Sequence, residues 1–162
     1  MAQLPAGAAV IYRAFGAEDA EAKGRALRQL ARVRRLVFLV GADARLAARL
    51  GADGVHLPER LMHLAPRLRQ AHPNWLVTTA AHGPRAVAAA GRLRLDAALV
   101  STVFASDSPS AGRPLGPLRL TALARKARVP VIALGGMDRR TAGRLAQSGA
   151  AGLAAIGGLT EG

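Results

Sequence analysis

The chain has 162 residues, of which 51% are hydrophobic and 3% aromatic, and it carries a formal net charge of +13 at pH 7. This length suits a single domain, residues 1–162, and the sequence shows neither the run of about eighteen apolar residues that spans a membrane nor the N-terminal regions of a signal peptide. Because cysteine is absent, disulfides and thiolate metal sites are excluded, and we expect a cytoplasmic protein with no membrane partner.

The positive charge does not by itself indicate nucleic-acid binding. Only two of the 23 basic residues are lysines, and the arginines are spread over many predicted helices rather than clustered. Few aromatic side chains are available to stack on bases. We therefore do not expect a nucleic-acid partner, and we expect the basic surface to be solvated or to attract anionic small molecules.

Apolar, β-branched segments alternate with helical patterns along the whole chain. The predicted strands are 8–12, 36–40, 54–57, 76–80, 97–102, 131–134 and 153–156. The predicted helices are 18–34, 44–50, 60–71, 85–92, 118–128 and 139–148. Strands separated by helices in this way predict a parallel α/β protein, and right-handed crossovers allow either a barrel or an open doubly wound sheet.

The last two predicted strands both end in paired glycines. Gly135 and Gly136 follow the sixth strand, and Gly157 and Gly158 follow the seventh. Bare backbone N–H groups at neighbouring strand ends can surround a phosphate, and (β/α)8 barrels commonly bind phosphate after their seventh and eighth strands. The predicted phosphate-binding residues are therefore Gly135, Gly136, Ile156 and Gly157, although tight turns would explain the same glycines.

Two further residues stand where parallel strands end. His82 follows the fourth predicted strand and is a candidate acid or base, with a capping or loop histidine as the alternative. Arg13 follows the first strand and is a candidate second anion contact, with an ordinary surface arginine as the alternative. The histidines lack metal-ligand spacing and no carboxylates cluster, so we predict no metal and no cofactor.

Four motifs carry a family resemblance. They are Gly-Ala-Asp-Gly-Val-His-Leu at 51–57, Pro-Leu-Gly at 114–116, Val-Ile-Ala-Leu-Gly-Gly-Met at 131–137, and the glycine-rich segment 149–159. In this order and spacing they resemble the thiamine phosphate synthase / TenI family over nearly the whole chain. The resemblance implies a TIM (β/α)8-type barrel that acts in thiamine biosynthesis at the carboxyl ends of its strands.

The strand count departs from that family. The first strand here, 8–12, matches the family's second strand, so the chain resembles a barrel that lacks its first β/α unit. Such a barrel has an open sheet edge, and unpaired strand edges tend to recruit another strand. We therefore expect another segment, or a second copy of the chain in a homo-oligomer, to cover that edge.

The resemblance also separates two activities. The synthase branch implies two aspartates that hold magnesium diphosphate, and Ala42 and Leu61 stand at those positions; Phe15 and Pro109 stand where basic residues are implied. The TenI branch isomerises a thiazole phosphate without a metal, and its histidine matches His82. Because imidazole exchanges protons near neutral pH, the sequence favours a thiazole phosphate tautomerase that uses His82.

Two other functions stay open at this point. One is the synthase reaction, which joins a pyrimidine diphosphate to a thiazole phosphate. The other is a ligand-binding or regulatory protein that kept the phosphate site and lost catalysis. All three readings predict the same small-molecule partner, a phosphorylated thiazole.

Overall fold

The computed structural model describes residues 4–106 and 112–156. Contacts between residues divide the chain into two compact units, Met1–Val77 and Thr78–Gly162, which are called the N-terminal and C-terminal units below. The expectation of a single domain over residues 1–162 stays a prediction. Within the described residues, no helix is both long enough and apolar enough to cross a membrane.

The N-terminal unit alternates strands and helices. Its elements are β1 (Ala9–Tyr12), α1 (Ala20–Val33), β2 (Val37–Gly41), α2 (Ala44–Arg49), β3 (Gly54–Leu57), a 3-10 helix (Glu59–Leu64) and α3 (Ala65–Ala71). β1 and β3 both pair with β2 in parallel, so that Tyr12 lies opposite Val40, and Val40 opposite Val55. Phe38, Val40 and Val55 are fully buried and form the centre of this unit's core.

The Gly-Ala-Asp-Gly motif has a structural role in this unit. The Asp53 carboxylate accepts two hydrogen bonds from the Arg28 guanidinium, at 2.8 and 2.9 Å, and a third from the Phe38 backbone N–H at 2.8 Å. One carboxylate therefore ties helix α1 to the start of β2. Gly54 is required beside it because a Cβ at that position would overlap the backbone of Leu76.

The C-terminal unit repeats the same alternation. Its elements are β4 (Leu76–Ala81, which begins just before the unit boundary), α4 (Pro84–Arg92), β5 (Ala97–Val100), α5 (Pro117–Lys126), β6 (Val131–Leu134), α6 (Arg139–Gly143) and β7 (Gly152–Ala154). Strands β4 to β7 pair in parallel in sequence order. Ala98, Val131 and Ala133 are almost fully buried, as expected for strands covered on both faces.

Two predicted helices differ from the observed ones. The segment predicted as one helix, 60–71, begins with the 3-10 turn and becomes α-helical at Ala65, where Pro66 occupies the first turn and needs no N–H partner. The helix predicted at 139–148 ends at Gly143, and the Ser148 hydroxyl donates to the Leu145 carbonyl in the turns that follow. The predicted strands agree with β1–β7 to within two residues at each end.

Because the strands of each unit are parallel, their carboxyl ends lie at one edge of that unit's sheet. In the N-terminal unit the residues just after the strands are Arg13, Ala42 and Pro58. In the C-terminal unit they include His82, Ser101 and Gly135. Barrel chemistry is found at this edge, so the candidate site is built from these positions.

Candidate functional site

The turn between β6 and α6 depends on its two glycines. Gly135 and Gly136 have φ angles of +100° and +61°, which residues with a side chain rarely adopt. A Cβ on Gly135 would lie 2.8 Å from the Thr102 methyl carbon, and one on Gly136 would collide with the Ala105 carbonyl oxygen. Packing against the loop after β5 therefore already requires glycine here, and phosphate binding by this pair stays a prediction.

The same turn presents backbone donors. The Gly136 carbonyl accepts a hydrogen bond from the Thr141 hydroxyl at 2.8 Å, and the Asp138 N–H donates to the Thr141 Oγ1 at 2.8 Å. In residues 4–106 and 112–156, the N–H groups of Gly136 and Met137 make no hydrogen bond. These two neighbouring donors are therefore available to an anion.

A cavity of about 460 Å³ lies beside this turn. The loop after β5 contributes Phe104, Ala105 and Ser106 to its wall. The turn and α6 contribute Gly136, Met137, Asp138, Arg140, Thr141 and Arg144. Cavities of about 300–1,000 Å³ are typical of small-molecule sites, so this one has room for a phosphate group and part of the molecule that carries it.

Asp138 is the acidic residue of the cavity wall, and its carboxylate is already engaged. It accepts a hydrogen bond from the Thr141 N–H at 2.6 Å and caps the start of α6. The backbone and side-chain hydrogen bonds of Thr141 hold the pKa of Asp138 below its usual value, with a smaller contribution from the charge of Arg140. Asp138 therefore remains ionised and serves the local fold.

His82 lies directly after β4 and is exposed, as the sequence predicts for a residue at the carboxyl end of a strand. Its Nδ1 lies 3.2 Å from both the carbonyl oxygen and the Oγ of Ser101. These two contacts fix the orientation of the imidazole ring at the end of β4, so Ser101 acts as a positioning residue for His82.

Arg13 lies in the N-terminal unit, whereas the other predicted site residues belong to the C-terminal unit. Its guanidinium lies 4.4 Å from the centre of the Phe15 ring, and its Cγ occupies the space that a side chain on Gly41 would need. Burial, and then the charge of Arg13, lower the pKa of His56 to about 4. His56 is therefore a neutral, partly buried imidazole at neutral pH.

Two of the predicted phosphate-binding residues follow the seventh strand. Ile156 follows β7 and is 77% exposed. Gly157, the other predicted donor at this strand end, lies outside residues 4–106 and 112–156. The predicted contribution of both residues to a phosphate site stays a prediction.

The residues present do not fit the magnesium site that the family resemblance implies. Ala42 and Leu61 offer no ligand atom, and the neighbouring Asp43 accepts the Leu46 N–H at 2.8 Å as the cap of α2. In the described part of the chain, no group of three His, Cys, Asp or Glu side chains is placed to hold a metal ion. We therefore assign no step of a reaction to these positions.

Comparison with known proteins identifies the family. A family model described as thiamine monophosphate synthase matches residues 2–159. The chain belongs to this family. Among curated members, thiamine-phosphate synthase of Chromobacterium violaceum is 33% identical over 147 residues, which cover 85% of this chain and 70% of that protein. Thiamine-phosphate synthase of Chlorobium luteolum is 32% identical over 126 residues, or 77% of this chain and 59% of that protein.

A solved structure that is similar to this chain shows the fold. Thiamine phosphate pyrophosphorylase from Pyrococcus furiosus superposes with a TM-score of 0.78 at 25% identity, over 91% of this chain and 71% of that one. This confirms the predicted α/β class and its TIM-barrel type. The described residues contain seven strands, one fewer than a complete (β/α)8 barrel.

These relatives also bear on the predicted reaction. They carry the name of the synthase, which the sequence analysis kept as an alternative, and they do not distinguish the tautomerase that it favoured. The family places the chain in thiamine biosynthesis. Sequence reasoning missed Arg140 and Arg144 in the cavity wall. Their spacing of four residues indicates a shared helical face, but it gives no sign of the cavity beside that face.

Proposed function

We propose that this chain binds a thiazole phosphate in thiamine biosynthesis, and that its reaction is the formation of thiamine phosphate. The observation that carries the binding proposal is the cavity beside the β6–α6 turn, where the N–H groups of Gly136 and Met137 meet a wall with room for a small phosphate ester. Backbone N–H groups are good partners for phosphate oxygens because they are fixed in direction and need no counter-ion.

In the synthase reaction, a carbon–nitrogen bond forms between the pyrimidine's methylene carbon and the thiazole nitrogen. The bond from that carbon to the diphosphate oxygen breaks, and diphosphate leaves with the electron pair. The names of the relatives support this choice. The chain's own part in this step is to hold the thiazole phosphate in place, because orienting two reactants lowers the entropic part of the barrier.

A thiazole phosphate tautomerase is the second candidate, and the geometry of His82 favours it. This reaction moves one proton from one position of the thiazole phosphate to another, with no bond to a second substrate. An imidazole that Ser101 holds in a fixed orientation can accept a proton from the substrate and later return one to it. A catalytically inactive, ligand-binding family member is the outcome that remains when neither reaction occurs.

One set of assays distinguishes these functions. The purified chain is incubated with pyrimidine diphosphate, thiazole phosphate and magnesium, and thiamine phosphate is measured; separately, the isomeric thiazole phosphate is followed by NMR. The proposal expects thiamine phosphate in the first assay. Isomerisation alone, lost in His82→Gln and unchanged by EDTA, would replace the synthase with the tautomerase.

Binding is measured separately by calorimetry with thiazole phosphate. Binding without turnover in either assay would leave a ligand-binding protein, and no binding at all would contradict the whole proposal.

A second copy of the chain at the open sheet edge and a cytoplasmic location stay predictions; sedimentation would check the first of these.

A further inference from the structure

Two arginines of the C-terminal unit lie in the wall of the cavity. Arg140 is in α6 and Arg144 directly follows its last residue. Residues four apart lie on the same face of a helical turn, with their side chains adjacent. The cavity wall therefore carries two neighbouring positive charges, and both side chains are also exposed to solvent.

Neither of these charges has a carboxylate partner in residues 4–106 and 112–156. Asp138 attracts Arg140 at longer range, but its carboxylate is held by Thr141. Like charges four residues apart in a helix destabilise it, and a bound anion would remove that cost.

Arg144 is also held in position by an aromatic ring. Its guanidinium carbon lies 5.0 Å from the centre of the Phe104 ring, and Phe104 is only 9% exposed. A guanidinium over an aromatic face gains a cation–π interaction while its N–H donors stay available for oxygen ligands. The ring therefore holds the Arg144 guanidinium beside the cavity without neutralising its charge.

We propose that Arg140 and Arg144 bind the phosphate group of the substrate as side-chain ligands, together with the N–H groups of Gly136 and Met137. This inference rests on the proposed function and specifies how its ligand is recognised. Two guanidinium groups and two backbone donors match the several acceptor sites of a phosphate monoester dianion. The cavity thus selects a phosphorylated thiazole over the corresponding alcohol.

Calorimetry with matched variants tests this assignment. Arg140→Gln and Arg144→Gln each remove one charge from the cavity wall. Arg139→Gln removes the same charge from the neighbouring residue of α6, which is exposed like the other two but does not line the cavity. We expect thiazole phosphate to bind roughly tenfold more weakly to each of the first two variants. The control variant should stay within about twofold of the unmodified chain, and Arg144→Lys should fall between, because lysine keeps the charge without the planar donor set.

Binding of the unphosphorylated thiazole alcohol gives the second measurement. It should be weak and equal in all variants, since the arginines contact only the phosphate, and equal melting temperatures show that the variants are folded. If the unmodified chain binds thiazole phosphate and both cavity variants bind it like Arg139→Gln, the assignment of the arginines is wrong and the proposed function stands. If the unmodified chain does not bind it, both fail.

Discussion

The two units differ in what fills the carboxyl ends of their strands. In the N-terminal unit, Arg13 lies over Gly41 and stacks on the exposed Phe15 ring. Burial of His56, and then the charge of Arg13, keep the His56 imidazole neutral. In the C-terminal unit, the corresponding edge has a cavity and the N–H groups of Gly136 and Met137, which make no hydrogen bond within the described residues. The first edge is covered by an arginine of the protein itself, whereas the second presents backbone donors beside a cavity.

Helices α1 and α6 differ in how their charges are balanced. Glu21 bonds to both Arg25 and Arg49, and Asp53 bonds to Arg28, so Arg25 and Arg28 of helix α1 each have a carboxylate partner. Arg140 and Arg144 have no such partner among the described residues. The comparison teaches that a net charge of +13 says little about binding until the arginines without carboxylate partners are located.

The largest effect that this contrast predicts is on catalysis by the C-terminal unit. If the chain isomerises a thiazole phosphate, His82→Ala should lower the rate by about 10²–10⁴-fold, the usual cost of losing a general acid–base group. His63→Ala, at an exposed position of the N-terminal unit, should leave the rate unchanged. An unchanged rate in His82→Ala would show that the reaction does not use the residues at the end of β4.

The next largest effect is expected for Gly136→Ala, which should lower the stability of the protein. The added Cβ would collide with the Ala105 carbonyl, and alanine would have to keep an unfavourable positive φ at this position. Together we expect these effects to lower the free energy of unfolding by about 3 kcal/mol. Gly143→Ala is the matched control, because a Cβ there meets nothing within 4 Å. Urea unfolding measures both, and equal stabilities would contradict the tight packing of the turn on the loop after β5.

The sequence predicted the strands and the place of His82 well, for a physical reason. Apolar β-branched runs are buried on both faces of a parallel sheet, so their limits are visible in composition alone. The roles of the glycines were less visible. The paired glycines indicated a phosphate site, but only the structure shows that Thr102 and Ala105 approach these two residues so closely.

The end of α6 and the cavity could not be read from the sequence. Arg144 follows a five-residue helix, and its position depends on the Phe104 ring, which lies about forty positions earlier in the chain. Contacts of this kind, between segments far apart in the chain, produce no periodic pattern in the sequence. The lowered pKa of His56 likewise depends first on burial and then on the charge of Arg13, which lies at the end of another strand.

The packing of helix α1 in the N-terminal unit gives a third prediction. Asp53→Ala removes the acceptor of the Phe38 N–H and the partner of Arg28, and should lower the free energy of unfolding by about 2 kcal/mol. Asp19→Ala breaks the exposed pair with Lys23 and should leave the free energy of unfolding almost unchanged, because solvent screens such a pair. Chemical denaturation measures both; an equal loss in the two variants would show that Asp53 does not tie α1 to β2.

The smallest predicted effect is a pH dependence from His56. Its folded-state pKa of about 4 lies below the ordinary 6.5, so the unfolded chain takes up a proton first as the pH falls. This group therefore costs nothing above pH 7 and lowers the free energy of unfolding by about 1–2 kcal/mol at pH 5. His56→Gln should lose that part of the pH dependence, and His63→Gln should keep it.

An NMR titration of the ¹⁵N-labelled chain with thiazole phosphate tests the central claim most directly, because it reports on both strand edges at once. The account predicts that the largest shifts fall on the backbone amides of Gly136 and Met137, while the amides of Arg13 and Gly41 change little. The largest shifts at Arg13 and Gly41, with none at Gly136 and Met137, would contradict it.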